Sequence, residues 1–312
     1  MNRLLVLTED NDDYGKLLKR RRLPDIEIVI ASDEEHVRES IRRSNIILGE
    51  PDRVAKVLDQ AKCLQWVQST FAGVEPLCEE NLRRDYVLTG VKDVFGPLMN
   101  QYVFGYILSL ERHLFETRQN QENRAWIHIP YRSLAGLTLG ICGLGSIGKH
   151  VAQTASHFGM RVVAYKKTSE ELPYLERVYT GSSFEEFLGI LDYLVLVLPH
   201  TVETTDLINS KTLEKMKASA VLINIGRGNV IVEPDLVRAL KGRVIRAAVL
   251  DVFKEEPLAA DSALWALPNA FITPHNAAVS FPREIVRIFY DNYQRFLAKQ
   301  TLQYVIDFKK GY

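Results

Sequence analysis

Three polar clusters in the C-terminal half carry residue types that can cooperate in one reaction. Arg227 stands between glycines in Gly226-Arg227-Gly228, Asp251 precedes Glu255-Glu256-Pro257, and His275 lies between Pro274 and Asn276. Interconverting a 2-oxo acid and a 2-hydroxy acid needs a hydride from a nicotinamide, a proton for the developing alkoxide and a fixed cation for the substrate carboxylate. His275 can give that proton as general acid in the reductive direction and take it back in the oxidative one. Glu256, on reaching the other imidazole nitrogen, would stabilise the imidazolium and raise the His275 pKa. Arg227 has the planar fork that binds a carboxylate and polarises an adjacent carbonyl, and Asp251 would accept from the nicotinamide carboxamide. Singly, each has a plainer explanation: a solvated histidine, an arginine tying down a loop, a Glu-Pro turn. Each cluster, however, follows an apolar run, and three such coincidences favour chemistry.

The hydride carrier has its own signal. Gly143-Leu144-Gly145-Ser146-Ile147-Gly148 follows the apolar run Leu139–Cys142 and opens a helical pattern from Lys149 to Phe158. Strand before and helix after are the context in which such glycines allow a tight turn and let the helix N-terminus meet a pyrophosphate. The alternative is a glycine turn without a ligand. The next strand ends in Ala164-Tyr165-Lys166-Lys167-Thr168, with no carboxylate for the ribose 2′-hydroxyl of NAD. Lys166 and Lys167 with the Thr168 hydroxyl would attract a 2′-phosphate, so NADP(H) is preferred and NAD(H) remains possible. Two solvated lysines at a strand end are the alternative here.

These residues need a sheet to gather them. Short β-branched or Leu-rich runs alternate with helical patterns along the whole chain, which predicts an α/β protein of βαβ units with parallel sheets. Strands are expected at Leu4–Leu7, Ile26–Ile30, Ile46–Leu48, Trp66–Gln68 and Val87–Thr89. A single long helix is expected from Pro97 to Gln121. A second series follows at Leu139–Cys142, Arg161–Tyr165, Tyr193–Leu198, Ala220–Ile225, Ala247–Leu250 and Phe271–Thr273. Its nearly continuous apolar runs fit strands covered on both faces. Ser32-Asp33-Glu34-Glu35 has capping-box spacing and marks a helix start, and a last helix runs from Arg283 to Ala298. Ligands of such sheets bind beyond the carboxyl ends of the strands, which would bring Arg227, the carboxylates and His275 beside the dinucleotide.

Composition limits the alternatives. At about 100–200 residues per domain, 312 residues predict two domains. The 39 basic and 39 acidic residues cancel, so no whole-molecule field would hold nucleic acid or an anionic membrane. Four apolar residues before Thr8 are too few for a secretory signal, and no apolar run reaches the ~18–20 residues of a membrane span, so a cytoplasmic protein is expected. Cys63, Cys78 and Cys142 are odd in number and widely spaced, which predicts reduced core thiols rather than a disulfide framework or a metal site. Phe71, Trp126 and Tyr131 are candidate pocket walls, with core or interface as the alternative, and His113 reads as structural.

The motifs together resemble the D-isomer-specific 2-hydroxyacid dehydrogenases: Gly140-Ile141-Cys142 with the glycine loop, Leu198-Pro199-His200-Thr201-Val202-Glu203-Thr204-Thr205, Ile223-Asn224-Ile225-Gly226-Arg227-Gly228, Leu250-Asp251-Val252-Phe253 with Glu256-Pro257, and Thr273-Pro274-His275-Asn276. They occur in the family's order, and within the family the glyoxylate/hydroxypyruvate reductases are most similar. The resemblance implies Arg227, Glu256 and His275 as the catalytic set. It also implies that backbone N–H groups of Ala72, Gly73 and Val74 hold the substrate carboxylate together with Arg227 and His275. Ser146 and Ile147 would contact the pyrophosphate; Pro199, His200 and Thr204 would line the adenosine side; Ile225, Gly226 and Asn276 would flank the cofactor. The implied fold is two doubly wound parallel-sheet domains. A Rossmann dinucleotide domain (96–281) is inserted into a flavodoxin-like substrate domain (1–95 and 282–312), with dimerisation through the former. Gln101 stands where many relatives carry Glu. NAD-linked oxidation of another hydroxy acid and a nucleotide-sensing, corepressor-like binding protein are the alternatives to reduction of a small 2-oxo acid.

Overall fold

A computed structural model describes residues 1–31 and 33–309. The chain divides into two compact units, Met1–Val94 with Ser280–Tyr312, and Phe95–Val279, so the breaks fall at 94/95 and 279/280.

The first unit contains β1 (Asn2–Leu7), α1 (Asn11–Arg20), β2 (Ile26–Ile30), α2 (Glu34–Ile41), β3 (Ile46–Gly49), α3 (Pro51–Ala55), β4 (Trp66–Ser69) and β5 (Val87–Thr89). Its five strands run parallel in the order β2-β1-β3-β4-β5, the flavodoxin-like order. Ser32 lies outside the described residues; Asp33 caps α2 by accepting from the His36 N–H at 2.9 Å. The last helix, Pro282–Leu297, belongs to this unit because its apolar face has a partner there. Trp66 stacks on Phe289 at 5.0 Å, Asn292 donates to Gln68 at 3.1 Å, and Asn2 donates to the Tyr293 hydroxyl at 3.2 Å. An aromatic pair of this kind adds about 0.5–1.5 kcal/mol beyond the area it buries.

The second unit opens with α4 (Gly96–Glu111) and α5 (Leu114–Glu122). It continues through β6 (Thr138–Cys142), α6 (Ser146–His157), β7 (Arg161–Tyr165), β8 (Arg177–Tyr179), α7 (Phe184–Gly189), β9 (Tyr193–Leu196), α8 (Ser210–Leu213), β10 (Val221–Asn224), α9 (Glu233–Lys241), β11 (Ala247–Leu250) and β12 (Ala270–Ile272); the Pro282–Leu297 helix is then α10. Seven parallel strands are ordered β12-β11-β10-β9-β6-β7-β8, the dinucleotide-binding order, which reverses direction between β6 and β9. The expected doubly wound α/β class is therefore observed in both units.

Several expectations need correction. The helix expected from Pro97 to Gln121 is two helices, because His113 adopts the left-handed region at φ 51° and ends the first. α5 then buries no residue of its own. The strand expected at Tyr193–Leu198 stops at Leu196, where its pairing with Cys142 of β6 ends. β8 was not expected; three residues with an exposed Arg177 carry no apolar run. Cys142 is a buried core thiol, but Cys78 is only half-buried and Cys63 is exposed; all three are unpaired. Phe71, Trp126 and Tyr131 are exposed and so are not core residues.

Candidate active site

The glycine loop joins β6 to α6, and its three glycines answer to different demands. Gly143 has φ 98°, and a Cβ there would lie 2.4 Å from the Val197 carbonyl oxygen. A Cβ on Gly148 would lie 2.2 Å from the Gly143 carbonyl oxygen, so this glycine closes the helix onto the loop. A Cβ on Gly145 would meet nothing within 4 Å. The fold itself thus leaves Gly145 as bare backbone beside the first turn of α6, where Ser146, Ile147 and Gly148 begin the helix. That is a cradle into which a pyrophosphate fits.

On the other side of the switch point, the strand ends bring the proposed catalytic residues together. The loop after β10 carries Ile225, Gly226 and Arg227. The buried Asn224 holds that loop by donating to the Arg227 carbonyl at 3.1 Å and accepting from the Gly226 N–H at 3.1 Å. Gly226 packs on Leu198 and Gly228 on the backbone of Phe253, where a Cβ would come within 1.9 Å. The Arg227 loop and the loop carrying Glu256 therefore lie backbone against backbone, which is why a glycine follows the arginine. The Arg227 guanidinium donates to the Gly226 carbonyl at 2.9 Å.

His275 Nδ1–H donates to Glu256 Oε2 at 2.7 Å, leaving Nε2 as the nitrogen for exchange with substrate. The other Glu256 oxygen accepts from the Phe253 N–H at 2.9 Å, so the carboxylate is fixed by its own loop before it meets the imidazole. The hydrogen bond to Glu256 raises the His275 pKa above its ordinary 6.5, against the opposing effects of burial and of Arg227. Burial pushes Glu256 up, but the donations from His275 and the Phe253 N–H outweigh it and hold the carboxyl below the usual range. The pair accordingly holds a proton on the imidazole to a higher pH than a free histidine would.

His275 is also left-handed, at φ 51°. Asp251 holds that bend: its carbonyl accepts from the His275 N–H at 2.9 Å, and its buried carboxylate accepts from the N–H groups of Asn276 (2.9 Å) and Ala277 (3.1 Å). Thr273 donates its hydroxyl to the same carboxylate at 2.6 Å and is joined to Tyr102 of α4 at 2.7 Å. Asp251, read from sequence as a partner of the nicotinamide carboxamide, is first of all the clamp of the His275 loop. Of the residues that hold this site, Asn224 and Thr273 lie within the sequence motifs, while nothing in the spacing marks Tyr102. Gln101, its neighbour on α4, is exposed.

The lysines after β7 are paired rather than open. Lys166 binds Glu170 at 2.6 Å and Lys167 binds Glu203 at 3.2 Å, while Thr168 is exposed. In the loop after β9, Thr204 donates to the Pro199 carbonyl at 2.7 Å and accepts from the Thr201 N–H at 2.9 Å, fixing a turn that leaves Pro199 and His200 exposed. Ala72, Gly73 and Val74 belong to the first unit. They follow β4, with Ala72 exposed, Gly73 half-buried and the Val74 side chain packed in that unit's core. Ser69 fixes the turn before them by accepting from the Phe71 N–H at 3.0 Å and donating to its carbonyl at 2.8 Å.

A dinucleotide cradle and a carboxylate-anchored histidine at strand ends of one sheet are the parts of a nicotinamide-dependent oxidoreductase. Comparison with known proteins makes the class specific. Residues 104–277 match the family described as D-isomer specific 2-hydroxyacid dehydrogenase, NAD binding domain. The chain is similar to a D-isomer specific 2-hydroxyacid dehydrogenase family protein from Aeromonas salmonicida, at 45% identity and TM-score 0.95 over 98% of this chain and 99% of that one. It is also similar to an NADPH-dependent glyoxylate/hydroxypyruvate reductase from Sinorhizobium meliloti solved with NADP and sulfate, at 25% identity, TM-score 0.91 and full coverage of both chains. A third relative, a D-isomer specific 2-hydroxyacid dehydrogenase from Xanthobacter autotrophicus solved with NADPH and MES, matches at 26% identity and TM-score 0.88 over 100% of this chain and 99% of that one. The chain belongs to the D-isomer specific 2-hydroxyacid dehydrogenase family and is an NAD(P)-dependent oxidoreductase.

Proposed function

We propose that this enzyme reduces a small 2-oxo acid such as glyoxylate or hydroxypyruvate with NADPH to the D-2-hydroxy acid. The observation that carries the reading is the His275–Glu256 pair at 2.7 Å, in a loop packed against the one that presents Arg227. When bound, the reduced nicotinamide supplies the hydride. Arg227 binds the substrate carboxylate and polarises the oxo group. His275 delivers its proton from Nε2 to the forming hydroxyl, and Glu256 stabilises the imidazolium until then. Gly143, Gly145, Ser146, Ile147 and Gly148 hold the pyrophosphate; Pro199, His200 and Thr204 border the adenosine, and Ile225, Gly226, Asp251 and Asn276 the nicotinamide half. Absence of NADPH oxidation by folded protein across a panel of 2-oxo acids would overturn the activity, and equal kcat/KM for NADPH and NADH would overturn the cofactor preference.

The functional unit in this reading is a homodimer formed through the second unit. Supporting it, Leu114, Phe115, Trp126, Ile127 and Tyr131 are all exposed on one stretch of chain that begins with α5, which buries nothing of its own. Apolar exposure on this scale marks an interface, and a second copy of the chain fits its self-contained character. Trp126→Glu is expected to convert a dimer to a monomer in sedimentation; a wild-type monomer would refute the assignment. Among the described residues no helix is long and apolar enough to cross a membrane, and three unpaired thiols suit a reducing cytoplasm.

A further inference from the structure

Two cations meet on one carboxylate at the end of β7. Glu170 Oε2 accepts from Lys166 at 2.6 Å, and Glu170 Oε1 accepts from Lys149, in the first turns of α6, at 2.5 Å. Lys149 directly follows the last glycine of the loop, and Lys166 directly follows Tyr165, whose carbonyl accepts from the Gly143 N–H at 3.3 Å. The triad is therefore built onto both ends of the cofactor cradle. Lys167 is different: its pair with Glu203 joins two largely exposed side chains, where such contacts contribute little.

We infer that Glu170 is a specificity-determining residue, an internal anion seated on the two ammonium groups, Lys149 and Lys166, that a cofactor 2′-phosphate would use. The inference rests on the NADPH reading above and revises its lysine pair from Lys166 and Lys167 to Lys166 and Lys149. Two ammonium groups brought to one point repel unless an anion lies between them, and Glu170 supplies that anion in the free protein. A phosphate monoester carries about −1.5 to −2 charges with three acceptor oxygens, against one charge and two oxygens for a carboxylate, so it can take both lysines from Glu170. A bare 2′-hydroxyl cannot. With an unphosphorylated ribose the carboxylate stays in place and is itself an acceptor for the hydroxyl, the role an acidic residue plays in NAD-binding folds. Glu170 thus taxes NADPH binding and permits NADH binding, narrowing a preference that the lysines would otherwise make steep. Both lysines hold the Glu170 carboxyl below the usual range, Lys149 the more strongly, so it is charged throughout the neutral range.

Adenosine 2′,5′-bisphosphate and AMP differ only in the 2′-phosphate and can be titrated calorimetrically into the full chain without turnover. Glu170→Gln is expected to tighten the bisphosphate by about tenfold with AMP unchanged or weaker, the size of one charge-assisted contact. Lys166→Met and Lys149→Met are each expected to weaken the bisphosphate by about tenfold and to leave AMP alone. If Lys166→Met abolishes the preference for the bisphosphate while Glu170→Gln fails to tighten it, the competitor role falls and the NADPH reading stands. If Lys149→Met alone is silent, the second cation is misassigned and the inference falls in that form. If wild-type protein binds both probes equally, the NADPH reading fails and this inference with it.

Discussion

Two glutamates in the second unit show how similar chemistry serves opposite ends. Glu111, the last residue of α4, is almost fully buried and accepts from four directions: Arg132 twice at 3.0 and 2.8 Å, the Tyr193 hydroxyl at 2.6 Å and Arg246 at 2.6 Å. Burial would raise its pKa, but these donors bring it down to about 2. Glu256 accepts from a backbone N–H and one imidazole, and its partner His275 is half-exposed. All four hydrogen bonds to Glu111 come from guanidinium or phenol groups, so its carboxylate can only bind structure together. At Glu256 one of the two donors is titratable, so the same negative charge becomes control over a proton. The lesson is that saturation by fixed cations makes a buried carboxylate structural, and pairing with a half-exposed histidine makes it chemical.

The contrast can be broken from either end. His275→Ala should lower kcat by about 10²–10⁴-fold, the usual worth of a positioned general acid, with little change in NADPH affinity by fluorescence titration. Near-normal kcat would assign the proton to another group. Thr273→Val removes a donor from Asp251 and loosens the His275 loop; kcat should fall about tenfold or less, and Thr273→Ser should restore it. Glu111→Gln should leave kcat of the folded enzyme unchanged and cost about 3 kcal/mol of stability, as removal of one member of a buried ion cluster does. Because its folded pKa is depressed, that contribution is present above the ordinary carboxyl value of 4.5 and is lost as pH falls toward about 2. Denaturation midpoints of wild type and variant should therefore differ at pH 7 and converge near pH 2; a constant gap would contradict the account.

These regions are unequally legible in the sequence. The strands that flank the switch point are continuous apolar runs, and β7 and β11 have the expected bounds because nothing but a covered parallel strand fits them. The candidate residues Arg227, Asp251 and His275 are legible for the same reason, each standing where an apolar run gives way to polar chain. The break at His113 is not, since neither glycine nor proline marks it and the apolar spacing runs on into Leu114 and Phe115. Nor are the partners of the lysines: Glu170 lies four residues beyond Lys166, but its second contact, with Lys149, crosses 21 positions and exists only after folding. The hold of Asp251 on the His275 loop is likewise invisible in the sequence, because its bonds to the N–H groups of Asn276 and Ala277 depend on the left-handed bend at His275.

The most direct test is the pH dependence of NADPH-driven 2-oxo acid reduction by wild type and Glu256→Gln. Reduction needs protonated His275, whose pKa Glu256 raises, so the wild-type rate should hold up to a pH above 6.5 and fall beyond it. In the variant the fall should move to lower pH, by about one unit for each 1.4 kcal/mol of lost interaction. Coincident profiles for the two proteins, with activity intact, would contradict the assignment of the Glu256–His275 pair as the proton source.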